Sequence, residues 1–219
     1  SLEDYGGNPA PDYPHEGDSV RIGDGYTVTM NTDYVIDNGN AVVVETAGPT
    51  NRPGHLNFAT HILDGPGNFV LKDGGILTMG LADGIMASGN SGNVQVSDAE
   101  RDFNFNNHNN GHFIYTTAAS QITGTGLPDT VATLTINNSG NTVTLSNDVA
   151  VKDSLHIQNG TFDVDAANNR SIYMLGDWRN AGTFVERNGT VEFSGPDHSK
   201  IYNSSGENFY DLEITKTSN

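Results

Sequence analysis

The sequence predicts an all-β chain wound as a right-handed parallel β-helix, a β-solenoid with almost no α-helix. Three observations lead there: short apolar alternations recur along nearly the whole chain, glycine and asparagine turns separate them, and no segment carries an apolar stripe at helical spacing. The stretch from Gly176 to Gly195, GDWRNAGTFVERNGTVEFSG, shows the rhythm most clearly. Thr183-Phe184-Val185 and Thr190-Val191-Glu192-Phe193 each read as a strand of β-branched and aromatic residues. Asn188-Gly189 between them is a turn signal with φ > 0 allowed.

Composition sets the outer limits. A chain of 219 residues suits one continuous β body or one to two ordinary domains. A formal net charge of -17, from 27 acidic and 10 basic side chains, makes nucleic acid and anionic membrane poor partners. No run approaches the roughly 18 apolar residues of a membrane span, so no membrane insertion is expected. The absence of cysteine excludes a disulfide scaffold and a thiolate metal site. No signal peptide opens at Ser1, so a secreted protein is expected here in mature or trimmed form.

Residues 1–16 hold Gly6-Gly7 and then Pro9, Pro11 and Pro14, and read as an extended lead-in without a core. A continuous solenoid is expected over 17–219. It opens with Ser19–Ile22 and Tyr26–Met30, each alternating with period two, and continues with Tyr34–Ile36 and Ala41–Val44. Thr46–Pro53, with Gly48, Pro49 and Pro53, reads as a projecting loop. His55–Phe58, Asn68–Leu71, Ile76–Met79, Asn93–Val96 and Phe103–Phe105 resume the alternation, with Asp-Gly corners at Asp64, Asp73 and Asp83. Asn104–Gly111 is a second candidate contact loop.

A shift of 78 residues sets Phe113 on Val191, Val94 on Ile172, Leu134 on Leu212 and Leu56 on Leu134. Modules of about that length are therefore expected near 56–133 and 134–211, with a third starting at 212. Rungs of roughly 20–29 residues would place three or four turns in each module. The alternative is a string of β-sandwich domains, each closing seven or so strands on itself.

The segments Leu134–Leu145 (LTINNSGNTVTL), Asn159–Phe162 (NGTF), Gly176–Phe184 (GDWRNAGTF), Gly189–Gly195 (GTVEFSG) and Phe209–Ile214 (FYDLEI) resemble, in that order, the tandem repeat modules of large secreted surface proteins and adhesins of Bacteroidetes. The resemblance covers about 127–219. It implies export by the type IX pathway, a place at the cell surface, and adhesive or structural roles, and it transfers no active site.

Candidate sites follow from residue chemistry. Trp178, the one tryptophan, either stacks on a sugar or partner, or fills a corner of the core. Asp163-Val164-Asp165 sets two carboxylates on one strand face, with Asp148, Asp153 and Asp177 on neighbouring rungs; they are either solvated surface charge or a structural calcium site, the only cofactor the sequence suggests. The pairs His55/His61 and His108/His112 lack a metalloprotease spacing. Tyr5, Tyr13 and Tyr26 are a candidate contact patch.

Parallel β-helices also host polysaccharide-degrading chemistry, but Arg101, Arg170, Lys152 and Lys200 stand isolated and no carboxyl pair is diagnostic. The expectation is a non-enzymatic stalk, adhesin or filament element. Its expected partners are cell-surface or matrix components, glycans, or other copies joined head to tail; the alternatives are a glycan-binding module or a polysaccharide-degrading enzyme.

Overall fold

The computed structural model describes residues 18–46, 51–103 and 110–217. The expected lead-in, Tyr5, Tyr13, His108 and the tips of both expected loops, 47–50 and 104–109, lie outside those residues. The chain is an all-β solenoid of about eight turns, in which every named strand pair is parallel. Among the described residues the one helical element is a single 3₁₀ turn, Asp98–Glu100.

Parallel pairing follows from winding, since each strand meets the strand one coil later. The longest ladder runs through Val28, Leu56, Leu77, Phe113, Leu134, Leu155, Trp178 and Ile201, each in register with the next. From Leu77 to Phe113 the chain makes its longest excursion between neighbours. Elsewhere the interval settles at 21 residues for Phe113 to Leu134 and Leu134 to Leu155, then 23 for the next two steps.

Adjoining faces carry their own ladders. Val20, Val42 and Phe69 stack at one end of the coil, and Val151, Met174, Phe193 and Ile214 at the other. A third face stacks Val143, Phe162 and Phe184. The inward side chains of these faces merge into one apolar core running along the coil. Period-two alternation is what puts them there, because successive side chains of a strand point to opposite sides.

Edge-to-face aromatic contacts reinforce the stack. Phe58, Phe69, Phe103 and Phe113 form one series with centroid separations of 6.0, 5.4 and 6.1 Å. Asn93 is a polar side chain inside the core whose partners are backbone groups. The fully buried Asn93 amide donates to the carbonyls of Ala59 and His61 and accepts from the N–H groups of Gly80 and Leu81. One side chain thereby ties residues 59–61 of one turn to 80–81 of the next.

Several expected strands appear where the alternation put them, including Ala41–Val44, Asn68–Leu71, Ile76–Met79 and Thr183–Val185. Others differ. Asn93–Val96 is no strand; Val94 makes a single bridge to Leu63 while the Asn93 side chain takes over the corner. Thr130–Thr144 and Val149–Asp163 run as long strands that absorb their corners as register shifts, at Ile136/Asn137 and Asn137/Thr142 among others. At the 187–189 turn the positive φ belongs to Arg187, at 47°, and not to Gly189. Gly189 is needed for closeness: a Cβ there would sit 2.5 Å from the Arg170 carbonyl oxygen.

The 78-residue shift relates positions of two kinds. Leu56 and Leu134 share a ladder, whereas Leu212 stacks on Val191 and Ile172 on the neighbouring face.

Candidate functional site

The C-terminal turns concentrate the features that the sequence singled out. Strand Asp177–Asn180 carries Trp178 inward, because Asp177 and Arg179 take the outward positions. Its ring is fully buried, held edge-on by Phe184 at 4.8 Å and Phe209 at 5.3 Å between centroids. The indole N–H donates to Glu207 Oε2 at 2.6 Å. Trp178 is therefore a core residue with no ring face left for a sugar or partner, which corrects the contact reading.

Glu207 is the polar hub that sequence reasoning missed. Its Oε2 also accepts from Asn180 Nδ2 at 2.9 Å and Asn203 Nδ2 at 3.3 Å. Charge-assisted bonds of this kind hold a carboxylate firmly in place. In the sequence Glu207 is a lone acid in the polar loop NSSGEN, and nothing local pairs it with an indole 29 residues earlier. Beside it, Asn180, Thr183, Asn203, Ser205, Glu207 and Asn208 line a polar cleft of about 260 Å³. Amides, hydroxyls and one carboxylate are groups that can meet neutral hydroxyl-bearing ligands.

The acidic candidates are placed differently from expectation. Strand Val149–Asp163 ends at Asp163, and Asp165 sits beyond it with φ of 68°, so the two carboxylates do not share a strand face. Asp163 is buried and accepts a two-pronged guanidinium from Arg187, Nε to Oδ1 at 3.0 Å and Nη2 to Oδ2 at 2.6 Å. That contact favours the charged guanidinium and raises the Arg187 pKa. Asp165 accepts from Asn168 Nδ2 and the Ala167 N–H, which together hold its carboxyl below the usual range. Asp148 caps the Ser171 N–H, and Asp177 accepts from the Lys200 N–H and pairs with Arg179. Among the described residues no three His, Cys, Asp or Glu side chains converge as a metal site would require.

The histidines serve the coil face. His55 Nε2 lies 2.7 Å from Thr78 Oγ1, and His112 Nδ1 lies 2.8 Å from Thr133 Oγ1. Burial lowers the pKa of both. His61 instead sits 3.3 Å from Asp33. Arg101, expected as an isolated base, is buried and caps the carbonyls of Met86 and Ala87, with Asp98 as its ion-pair partner. Tyr26 is exposed at the other end of the coil, far in the stack from Trp178.

Fold and core together define a parallel β-solenoid protein. Comparison with protein-family models, with curated proteins and with solved structures finds no match for this chain.

Proposed function

We propose that this chain is a structural and adhesive section of an extracellular, repeat-built surface protein, serving as a stalk, adhesin or filament element. The observation that carries the reading is the unbroken ladder from Val28 to Ile201, within a sheet of thirteen strands. Stacked strands with a continuous core make an elongated, stiff element in which each rung rests on its neighbours. Surplus negative charge keeps such bodies apart in solution. The resemblance of 127–219 to surface-protein repeat modules supports the same placement, and with it export by the type IX route.

A second reading, glycan binding, is favoured by the polar cleft beside Glu207. One experiment separates the two. Beads coated with the chain are held under flow against matrix proteins, cell surfaces and an array of neutral glycans. Retention on matrix or cells without a preferred glycan is the expected result. Binding confined to one glycan class transfers the assignment to the cleft, and release of new reducing ends from a polysaccharide would overturn the non-catalytic reading.

A further inference from the structure

An asparagine followed by glycine is prone to lose its side-chain amide, because glycine has no Cβ to shield the backbone nitrogen that attacks it. The chain has four such pairs, Asn38-Gly39, Asn110-Gly111, Asn159-Gly160 and Asn188-Gly189. The coil restrains three of them. Asn110 Oδ1 accepts from Lys152 Nζ at 2.6 Å, and Gly111 is buried so closely that a Cβ there would lie 2.5 Å from Leu71 Cδ2. Asn159 lies inside strand Val149–Asp163 and donates its amide to Asn137 Oδ1 at 2.8 Å. Gly160 beside it presses on the neighbouring rung, where a Cβ would meet the Asn138 carbonyl oxygen at 2.1 Å. At Asn188-Gly189 the attacking nitrogen is itself engaged, since the Gly189 N–H donates to the Glu186 carbonyl at 2.9 Å.

Asn38-Gly39 is held differently. The pair forms the tip of the corner between strands Tyr34–Val35 and Ala41–Val44, and both residues are exposed. The Asn40 N–H closes the turn onto the Asp37 carbonyl at 3.0 Å, with Gly39 at a φ of 88°. Among the described residues, neither the Asn38 side-chain amide nor the Gly39 N–H has a hydrogen-bond partner. A Cβ added at Gly39 would meet nothing within 4 Å. The ends of the corner are fixed all the same. The Ile36 N–H donates to the Asp64 carbonyl at 2.8 Å, the Asn68 N–H donates to the Asn40 carbonyl at 2.9 Å, and the Ile36 side chain is fully buried. The tip can therefore rearrange while the rung stays in place.

We propose that Asn38 is a covalent modification site, converting to aspartate and isoaspartate through a cyclic imide. The Gly39 backbone nitrogen, having given up its proton, attacks Asn38 Cγ. A C–N bond forms as the C–NH2 bond breaks, and the amide nitrogen leaves as ammonia. Water then opens the ring at either carbonyl, giving aspartate or a linkage in which the backbone runs through the former side chain. Each product adds one negative charge to the net of -17. The isoaspartyl form also adds one backbone carbon, which the open tip takes up toward solvent. This chemistry needs only water and is independent of the adhesive role.

The test is peptide mapping of the full chain by mass spectrometry during incubation at mildly alkaline pH, once folded and once in urea. In the folded chain Asn38 should convert roughly tenfold faster or more than Asn110, Asn159 and Asn188, which react only after local opening. In urea the four should convert at comparable rates, which shows that the fold sets their order. Enzymatic methylation of isoaspartyl carboxyls should label the peptide containing residue 38. Asn38→Gln, whose longer side chain closes its ring far more slowly, should remove the acidic species seen on isoelectric focusing. Conversion of any of the other three as fast as Asn38 in the folded chain overturns the proposal. So does an intact Asn38 under conditions in which the urea-unfolded chain has reacted.

Discussion

Replacing Trp178 by alanine probes the densest part of the core. The ring is fully buried between Phe184 and Phe209, and truncating a buried tryptophan costs about 3–5 kcal/mol in lost transfer energy and cavity. The same change strips Glu207 of its shortest hydrogen bond, so the cost should fall at the upper end, near 5 kcal/mol. Trp178→Phe keeps an aromatic ring in the site and removes the N–H donor, so it should cost about 2 kcal/mol. Urea unfolding followed by far-ultraviolet circular dichroism measures both. The wild-type protein supplies an independent readout, because its one tryptophan should emit as a buried indole and shift to the red on unfolding. A Trp178→Ala cost below about 1 kcal/mol, or wild-type emission typical of a water-exposed indole, would refute the placement of this ring in the core.

Three further outcomes are expected. His55 and His112 have folded pKa values lowered by burial, so the unfolded chain binds more protons just below pH 6.5; stability should be full above that pH and fall as pH drops through the window beneath it. Replacing both by glutamine should reduce that fall, leaving the part that comes from His156, whose pKa burial and Arg179 also lower, and proton NMR titration should place the His55 and His112 midpoints under 6.5. Gly176→Ala should destabilise by about 1–3 kcal/mol, since a Cβ would lie 2.0 Å from the Asp153 carbonyl oxygen and the rung must shift to accept it; an unchanged urea midpoint would contradict the close approach. Asp163→Asn should lower the thermal midpoint by loosening the Arg187 clasp, and a following Arg187→Ala should add little, whereas fully additive losses would show that the two residues act separately.

The solenoid was legible because its two sequence signals are local. Alternation marks inward positions, and the Asp-Gly corners at 64–65, 73–74 and 83–84 all place glycine at positive φ. Hence strands such as Asn68–Leu71 and Ile76–Met79 are found where their pattern put them. The ladders were harder to read, since every face of the coil uses the same alternation. A shift such as 78 residues can join Leu56 to a residue on its own ladder and Leu134 to one on another with equal ease.

Side-chain partnerships between rungs were not legible at all. Asp163 meets Arg187 and Trp178 meets Glu207 one turn of chain away, and the spacing of those partners depends on corner lengths that the sequence leaves open. The carboxylates of Asp163 and Asp165 looked equivalent in sequence because both belong to one alternating triplet. The strand ends between them, so one becomes a buried ion-pair acceptor and the other a turn cap.

The outward positions Thr29, Asn57, Thr78, Ile114, Thr135, His156, Arg179 and Tyr202 form a single row on one face, seven rungs from first to last. Electron–electron resonance distances between spin labels at Thr29 and at each of Ile114, His156 and Tyr202 test that row directly. With about 4.8 Å per rung, the three distances should rise in proportion to three, five and seven steps, reaching about 34 Å for Tyr202. A linear series establishes one continuous stack, whereas distances that plateau, or a Thr29–Tyr202 distance far from that value, would contradict the single solenoid on which the proposed function rests.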